Sequence, residues 1–165
     1  MLILGAAGNV GRYAMQFAKD AGVHIVATSG SKDMNDVKNL GAELVVNSHE
    51  EGFETKIPPV DVVIDTVGAA TRERSAGRLK PRGILVSVVS AEPLPQRDDV
   101  QSVFFYVEVT TARLKIVTEL FETGKLSPKL GAVLPLEDAR LAHEMLAGAR
   151  PHKSGKIVLS VTPPE

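Results

Sequence analysis

The chain has 165 residues, one domain's worth, of which 44% are hydrophobic and 24% charged; that composition excludes a disordered or fibrous polymer. A net charge of -1 with no basic block leaves no electrostatic footprint for nucleic acid, and 0 Cys excludes disulfides, thiolate nucleophiles and cysteine-ligated zinc. No apolar run reaches the ~20 residues of a membrane span and no charged leader precedes a hydrophobic stretch, so the expected compartment is the cytoplasm.

Apolar runs of strand length alternate with stretches of helical period, the pattern of a βαβ series. Leu2 to Gly5 reads as the first strand. Val10, Ala14, Phe17, Ala18 and Ala21 then recur at helical spacing, and Gly22 closes that helix. His24 to Thr28 is a second strand. A short helix follows, with Met34, Val37 and Leu40 on one face and Gly41 as its stop, before a third strand at Glu43 to Val46.

Pro58-Pro59 punctuates the chain ahead of Val60 to Thr66, a Val and Ile run suited to a central strand covered on both faces. A helix is expected around Thr71 to Leu79, ended by the turn sequence Lys80-Pro81-Arg82-Gly83. Ile84 to Val89 is the fifth strand, Glu92 to Val100 a proline-bearing loop, and Val103 to Val107 the sixth strand. Six strands with five crossovers predict an α/β fold: a doubly wound parallel sheet of the Rossmann type, helices on both faces, commonly ordered 3-2-1-4-5-6.

The remainder departs from that plan. Thr111 to Thr123 is amphipathic, with Leu114, Val117, Leu120 and Phe121 on one side. Leu130 to Leu134 and Lys156 to Val161 read as strands, with a helix at Glu137 to Ala147 between them. These strands are extra to a Rossmann sheet. The expected organisation is therefore a dinucleotide-binding domain over 1–126 and a C-terminal extension over 127–165.

The first turn carries the chemistry. Gly5-Ala6-Ala7-Gly8-Asn9-Val10-Gly11 joins the first strand to the first helix. Gly5 makes the tight turn, Gly8 lets the backbone approach a pyrophosphate, and Gly11 lets the helix pack close to the sheet. The amides of Asn9 and Val10 then face phosphate oxygens from the positive end of the helix. A plain βα turn is the competing reading, and the strand before and amphipathic helix after weigh against it. A Walker loop is excluded, because Arg12 and Tyr13 follow Gly11 where Lys and Ser or Thr belong.

An NAD-preferring site places Asp or Glu about 20 residues further on, against the ribose hydroxyls. This chain has Thr28-Ser29-Gly30-Ser31-Lys32 there. Two hydroxyls and an ammonium would bind a 2′-phosphate that a carboxylate would repel, so NADPH is expected over NADH. The alternative is a polar loop opening a helix, with Asp33 shielding Lys32. The four histidines, His24, His49, His143 and His152, lack metal-binding spacing and read as surface or structural residues.

Taken together, G-A-A-G-N-V-G, A-T-S-G-S-K, the L-G-A at Leu40 to Ala42, V-D-V-V-I-D-T-V-G at Val60 to Gly68 and L-K-P-R-G-I-L-V-S resemble the medium-chain dehydrogenase/reductase superfamily. The zinc-free, NADPH:quinone oxidoreductase-like branch is the nearest in pattern. The resemblance continues through F-F-Y-V-E and the closing S-G-K-I-V-L-S-V. By position it implies that Gly8, Asn9 and Val10 meet the pyrophosphate and that Ser29 and Lys32, with Ser31 between them, meet the 2′-phosphate. It puts Val67 and Gly68 beside the cofactor ribose, Val89 and Ser90 near the nicotinamide, and Phe104 and Phe105 at the carboxamide, where core packing is the competing role. Asn47-Ser48 stands where the family often has Asn-Tyr flanking the adenosine phosphate.

The resemblance further implies an N-terminal catalytic domain, which the C-terminal strands would help to build. The strand at Leu2 leaves no room for one, so the chain reads as a cofactor-binding fragment with no catalytic residue of its own and little turnover alone. Complete, it would be an NADPH-dependent reductase of quinones or activated alkenes, or of enoyl thioesters. An NADPH-binding sensor or scaffold without catalysis is the rival from another class. A homodimer through the apolar edge strand Val103 to Val107 is expected.

Overall fold

The computed structural model describes residues 1–92, 97–104 and 106–161. They form two compact units, the first Met1–Leu126 and the second beginning at Ser127.

The first unit is built on β1 (Leu2–Leu4), β2 (Val26–Ser29), β3 (Leu44–Asn47), β4 (Val60–Asp65), β5 (Leu79–Ser87) and β6 (Gln101–Phe104). All five neighbouring pairs are parallel, and the order is β3-β2-β1-β4-β5-β6. This is the doubly wound Rossmann sheet. Alternate side chains of a strand leave on opposite faces, so β1 feeds two cores at once. Leu2 and Leu4 join Phe53, Val63 and Leu85 on one side, and Ile3 joins Met15, Ala27 and Val37 on the other. All three β1 residues are fully buried, as a parallel strand covered on both faces requires.

The helices are α1 (Asn9–Asp20), α2 (Met34–Asn39), α3 (Ala69–Ala76) and α4 (Thr111–Glu122). Three details differ from the sequence expectation. The buried face of α1 is Gly11, Met15 and Ala18, whereas Val10 and Phe17 are about half exposed at 54% and 49%. Gly11 sets this phase: it lies against the backbone of Gly5 and Ala6, and the residues one turn and two turns on follow it inward. Second, α3 ends at Ala76, and Lys80-Pro81-Arg82-Gly83 lies inside β5. There Arg82 takes a φ of 62° and the register against β4 shifts between Val60 and Val62. A bulge absorbs the turn-forming residues without ending the strand. Third, β6 runs over Gln101–Phe104 instead of Val103 to Val107, and Tyr106 and Val107 lie beyond it, 87% and 79% exposed.

The second unit contains β7 (Leu130–Pro135), α5 (Ala139–Leu146) and β8 (Lys156–Ser160), the two strands pairing in parallel. Close backbone approach explains Gly131 and Gly155: a Cβ on Gly131 would stand 2.2 Å from the Lys153 carbonyl oxygen, and one on Gly155 2.6 Å from the Lys129 carbonyl oxygen. Leu130, Val133 and Val158 are exposed on this pair, and two strands by themselves make a marginal sheet. Among the described residues no helix is long and apolar enough to cross a membrane.

Candidate functional site

Because all six strands run the same way, their carboxyl ends share one edge, the place where open α/β sheets bind ligands. Gly5 follows β1, Ser29 ends β2, Asn47 ends β3, Val67 and Gly68 follow β4, Val89 and Ser90 follow β5, and Phe104 ends β6. Phe105 lies outside the described residues.

The glycine turn has the mechanical form its spacing predicts. Gly5 adopts φ +72°, and a Cβ there would meet Val67 Cγ2 at 2.7 Å and Thr66 Oγ1 at 2.8 Å. Gly11 has no room at all: its Cβ would stand 2.3 Å from the Gly5 carbonyl oxygen. Gly8 caps α1 with extended backbone and no side-chain hydrogen bond. The first-turn amides of Asn9, Val10 and Gly11 therefore have no partner within the helix or from a capping side chain. Gly8, Asn9 and Val10 are exposed. A diphosphate fits such a mouth, since Asn9 and Val10 are exposed and the donors carry the positive end of the helix dipole with no capping side chain.

Hydroxyls fasten this loop to its neighbours. The Gly5 amide donates to Thr28 Oγ1 at 3.2 Å, and Thr66 Oγ1 donates to the Leu4 carbonyl at 2.7 Å. Arg12 pairs with Asp36, tying α1 to α2.

After β2 the expected triad separates. Ser31 and Lys32 are exposed, and among the described residues none pairs ionically with Lys32. Ser29 is only 3% exposed and its hydroxyl donates to the Gly30 carbonyl at 3.2 Å. A phosphate beside this loop would meet Ser31 and Lys32 first, with Ser29 as support behind them. Asn47 is likewise occupied: its Oδ1 accepts from the His49 amide at 3.1 Å and its amide donates to Glu50 at 3.3 Å. Glu50 in turn is held below the usual carboxylate range, chiefly by the hydrogen bond from Lys56. Asn47 thus shapes the loop after β3.

That loop brings in a residue the sequence reading set aside. The His49 ring lies against Gly30, 3.4 Å from where a Cβ there would stand, which puts an imidazole against the backbone just before Ser31 and Lys32. No spacing rule announces it, because the contact joins ends of two different strands.

Farther along the edge, Gly68 is buried at φ +78° and a Cβ on it would press on Val89 Cγ2 at 3.1 Å. The loops after β4 and β5 therefore touch, with Val67 and Val89 each 49% exposed above the contact. Ala69 follows at φ 47°, a left-handed conformation that costs a non-glycine residue of order 1 kcal/mol. Beneath lie Asp65, Arg72 and Ser87, all at most 3% exposed. Their signal in the sequence was the carboxylate closing an apolar central strand, since a charge so buried requires partners.

Residues 40–159 match the family model described as Zinc-binding dehydrogenase. The chain belongs to that family. Within it the chain corresponds to the cofactor-binding portion of the medium-chain dehydrogenase/reductase superfamily, in its quinone oxidoreductase-like form. It is 32% identical to a probable zinc-binding mitochondrial oxidoreductase of Arthroderma benhamiae, over 96% of this chain and 51% of the relative. It is 27% identical to an acryloyl-coenzyme A reductase of Metallosphaera sedula, over 97% of this chain and 50% of that one. The quinone oxidoreductase structure from Coxiella burnetii superposes with a TM-score of 0.85 at 31% identity, covering 98% of this chain and 52% of the other. The chain thus spans about half the length of these relatives. Although zinc stands in the family's description, no group of three or more His, Cys, Asp or Glu among the described residues is placed to hold a metal ion.

Proposed function

We propose that the chain binds NADPH and serves as the cofactor-holding portion of a zinc-free oxidoreductase that reduces quinones or activated alkenes. One observation carries this reading: the uncapped mouth of α1 opens behind Gly5, Gly8 and Gly11, while Ser31 and Lys32 stand exposed where an NAD-preferring site has a carboxylate. NADH is the weaker alternative.

The hydride chemistry belongs to the bound nicotinamide. This chain's residues position it. The α1 amides hold the pyrophosphate, and Ser31 and Lys32 neutralise the 2′-phosphate with the His49 ring alongside. Val67, Gly68, Val89 and Ser90 bound the ribose and nicotinamide, and the backbone at the end of β6 meets the carboxamide. Such fixed orientation supplies the larger part of the acceleration in a transfer between two bound molecules. The names of the relatives support two substrate classes, quinones and enoyl thioesters, and both present an electron-poor double bond to a hydride. A cytoplasmic homodimer pairing along the open edge of β6 completes the proposal, and a monomer in light scattering at high concentration would refute that part.

Titration of the chain with NADPH and NADH, followed by nicotinamide fluorescence, tests the cofactor reading. The chain has no Trp to obscure the emission. Saturable binding is expected for both, tighter for NADPH by about tenfold, the worth of one partly screened charge-assisted contact. Binding of neither nucleotide refutes the proposal, and a preference for NADH refutes the role of Ser31 and Lys32.

A further inference from the structure

We propose that Asp65, acting through Ser87, is the positioning residue that fixes the nicotinamide side of the site. The proposal rests on the cofactor reading above. It concerns a buried polar cluster that touches no cofactor itself.

Asp65 closes β4 and is fully buried, as is Ser87 at the end of β5 beside it in register. Asp65 Oδ1 accepts two backbone amides of the loop that follows it, Val67 at 3.0 Å and Gly68 at 2.8 Å. Its other oxygen accepts the Ser87 hydroxyl at 2.8 Å. Ser87 Oγ then accepts the amides of Val89 at 3.2 Å and Ser90 at 3.0 Å. Two carboxylate oxygens thereby order both loops that would bound the ribose and the nicotinamide.

The direction of these bonds is forced. Both lone pairs of Ser87 Oγ take up the loop amides, so its single hydroxyl proton is left for Asp65 Oδ2. A serine with no such partner would be free to turn its proton toward the loop and repel one amide. Arg72, 3% exposed, supplies the balancing charge: its Nε lies 3.8 Å from Asp65 Oδ2, and its guanidinium donates to the Glu92 carbonyl farther along the same loop. A buried carboxylate persists only with partners of this kind. Every side-chain hydrogen bond of Asp65 and Ser87 lies within this pair or leads into the two candidate nicotinamide-side loops.

The test separates the two ends of the cofactor. Adenosine 2′,5′-bisphosphate would engage only the adenosine side, and NADPH would engage both. In the full chain, Ser87→Ala is expected to weaken NADPH about tenfold, which corresponds to about 1.4 kcal/mol and to one or two lost loop bonds. The bisphosphate should hold within about twofold. Ser87→Thr, which keeps the hydroxyl, should restore NADPH binding. Asp65→Asn should act like Ser87→Ala, because its amide would offer a proton to Ser87 and reverse the hydroxyl. Should Asp65→Asn fail to fold, the Ser87 pair carries the test; should Ser87→Ala fail, Ser87→Cys takes its place with the same expectation. Equal losses for both nucleotides, no loss for either, or no rescue by threonine would overturn the proposal and leave the cofactor reading standing. If the unsubstituted chain binds neither nucleotide, both fall together.

Discussion

Gly11→Ala and Gly8→Ala lie three residues apart, and the structure assigns them opposite consequences. A Cβ on Gly11 would stand 2.3 Å from the Gly5 carbonyl oxygen, 2.8 Å from Ala6 Cα and 2.9 Å from Gly5 C. All three atoms are backbone, in the turn fastened to β2 and β4 by Thr28 and Thr66. No side chain can swing aside, so α1 itself must move by several tenths of an ångström. Overpacking of this kind costs about 1–3 kcal/mol or more, and alanine's better helix propensity returns at most about 1 kcal/mol. A contact this short with backbone puts the cost toward the upper end, and the net loss of about 1–2 kcal/mol lowers Tm by about 2–8 °C. Gly8 is different. Its φ is -70° and the nearest atom to a Cβ, the Gly5 oxygen, is 3.3 Å away, so alanine there fits with a small adjustment. The new methyl would stand at the mouth of α1 where a pyrophosphate must approach. Thermal unfolding and NADPH titration on both variants are the assay. Gly8→Ala should keep its Tm within about 2 °C and lose NADPH affinity by at least about tenfold, a cost of about 1.4 kcal/mol. Gly11→Ala should lose stability foremost. A Gly11→Ala protein as stable as its parent, or a Gly8→Ala protein that binds undiminished, would refute the reasoning.

Lys32→Ala should weaken NADPH by about tenfold and leave NADH nearly unchanged, because an exposed ammonium meets only the additional phosphate; the ratio of the two dissociation constants measures it. Arg97→Ala should destabilise the chain by about 1–3 kcal/mol in denaturant unfolding, since Arg97 donates to the carbonyls of Ala76 at 2.7 Å and Leu79 at 3.0 Å. The same arginine's hydrogen bond holds the Asp99 carboxyl below its ordinary value of 3.8. A carboxyl depressed by folding contributes stability in full above its ordinary value and loses it as pH falls through the lower folded one. The acid fall in Tm below about pH 4 should therefore be shallower in Arg97→Ala than in its parent. Leu85→Ala, at a fully buried position of β5, should cost about 2–5 kcal/mol by the same denaturant measurement.

The order of elements along the chain was legible because each signal was local. Leu2 to Leu4, Val26 to Ser29 and Val60 to Asp65 are short runs that only a strand covered on both faces can use. The glycines that interrupt them have meanings fixed by their own backbone. Turn chemistry misled where a neighbouring strand could absorb it: Lys80-Pro81-Arg82-Gly83 has the composition of a turn, yet β4 on one side holds it in β5 with a bulge. The buried face of α1 was misjudged for a related reason. Val10 and Phe17 are the larger apolar residues, but the nearest approach to the sheet is made by Gly11, and the residue with no side chain sets the rotation of the helix.

The sequence by itself determined the alternation of strands and helices, the glycine turn between β1 and α1 and the want of a carboxylate after β2, since these depend on residues adjacent in the chain. Only the tertiary structure decided which polar groups meet. Ser29 is withdrawn into its strand, His49 arrives at Gly30 from the next strand, and Asp65, Ser87 and Arg72 join across β4, β5 and α3. Such meetings follow from strand register, where a shift of one residue would turn Asp65 and Ser87 to opposite faces. Register in turn is settled by the packing of both cores at once, and no single segment of the chain contains that information.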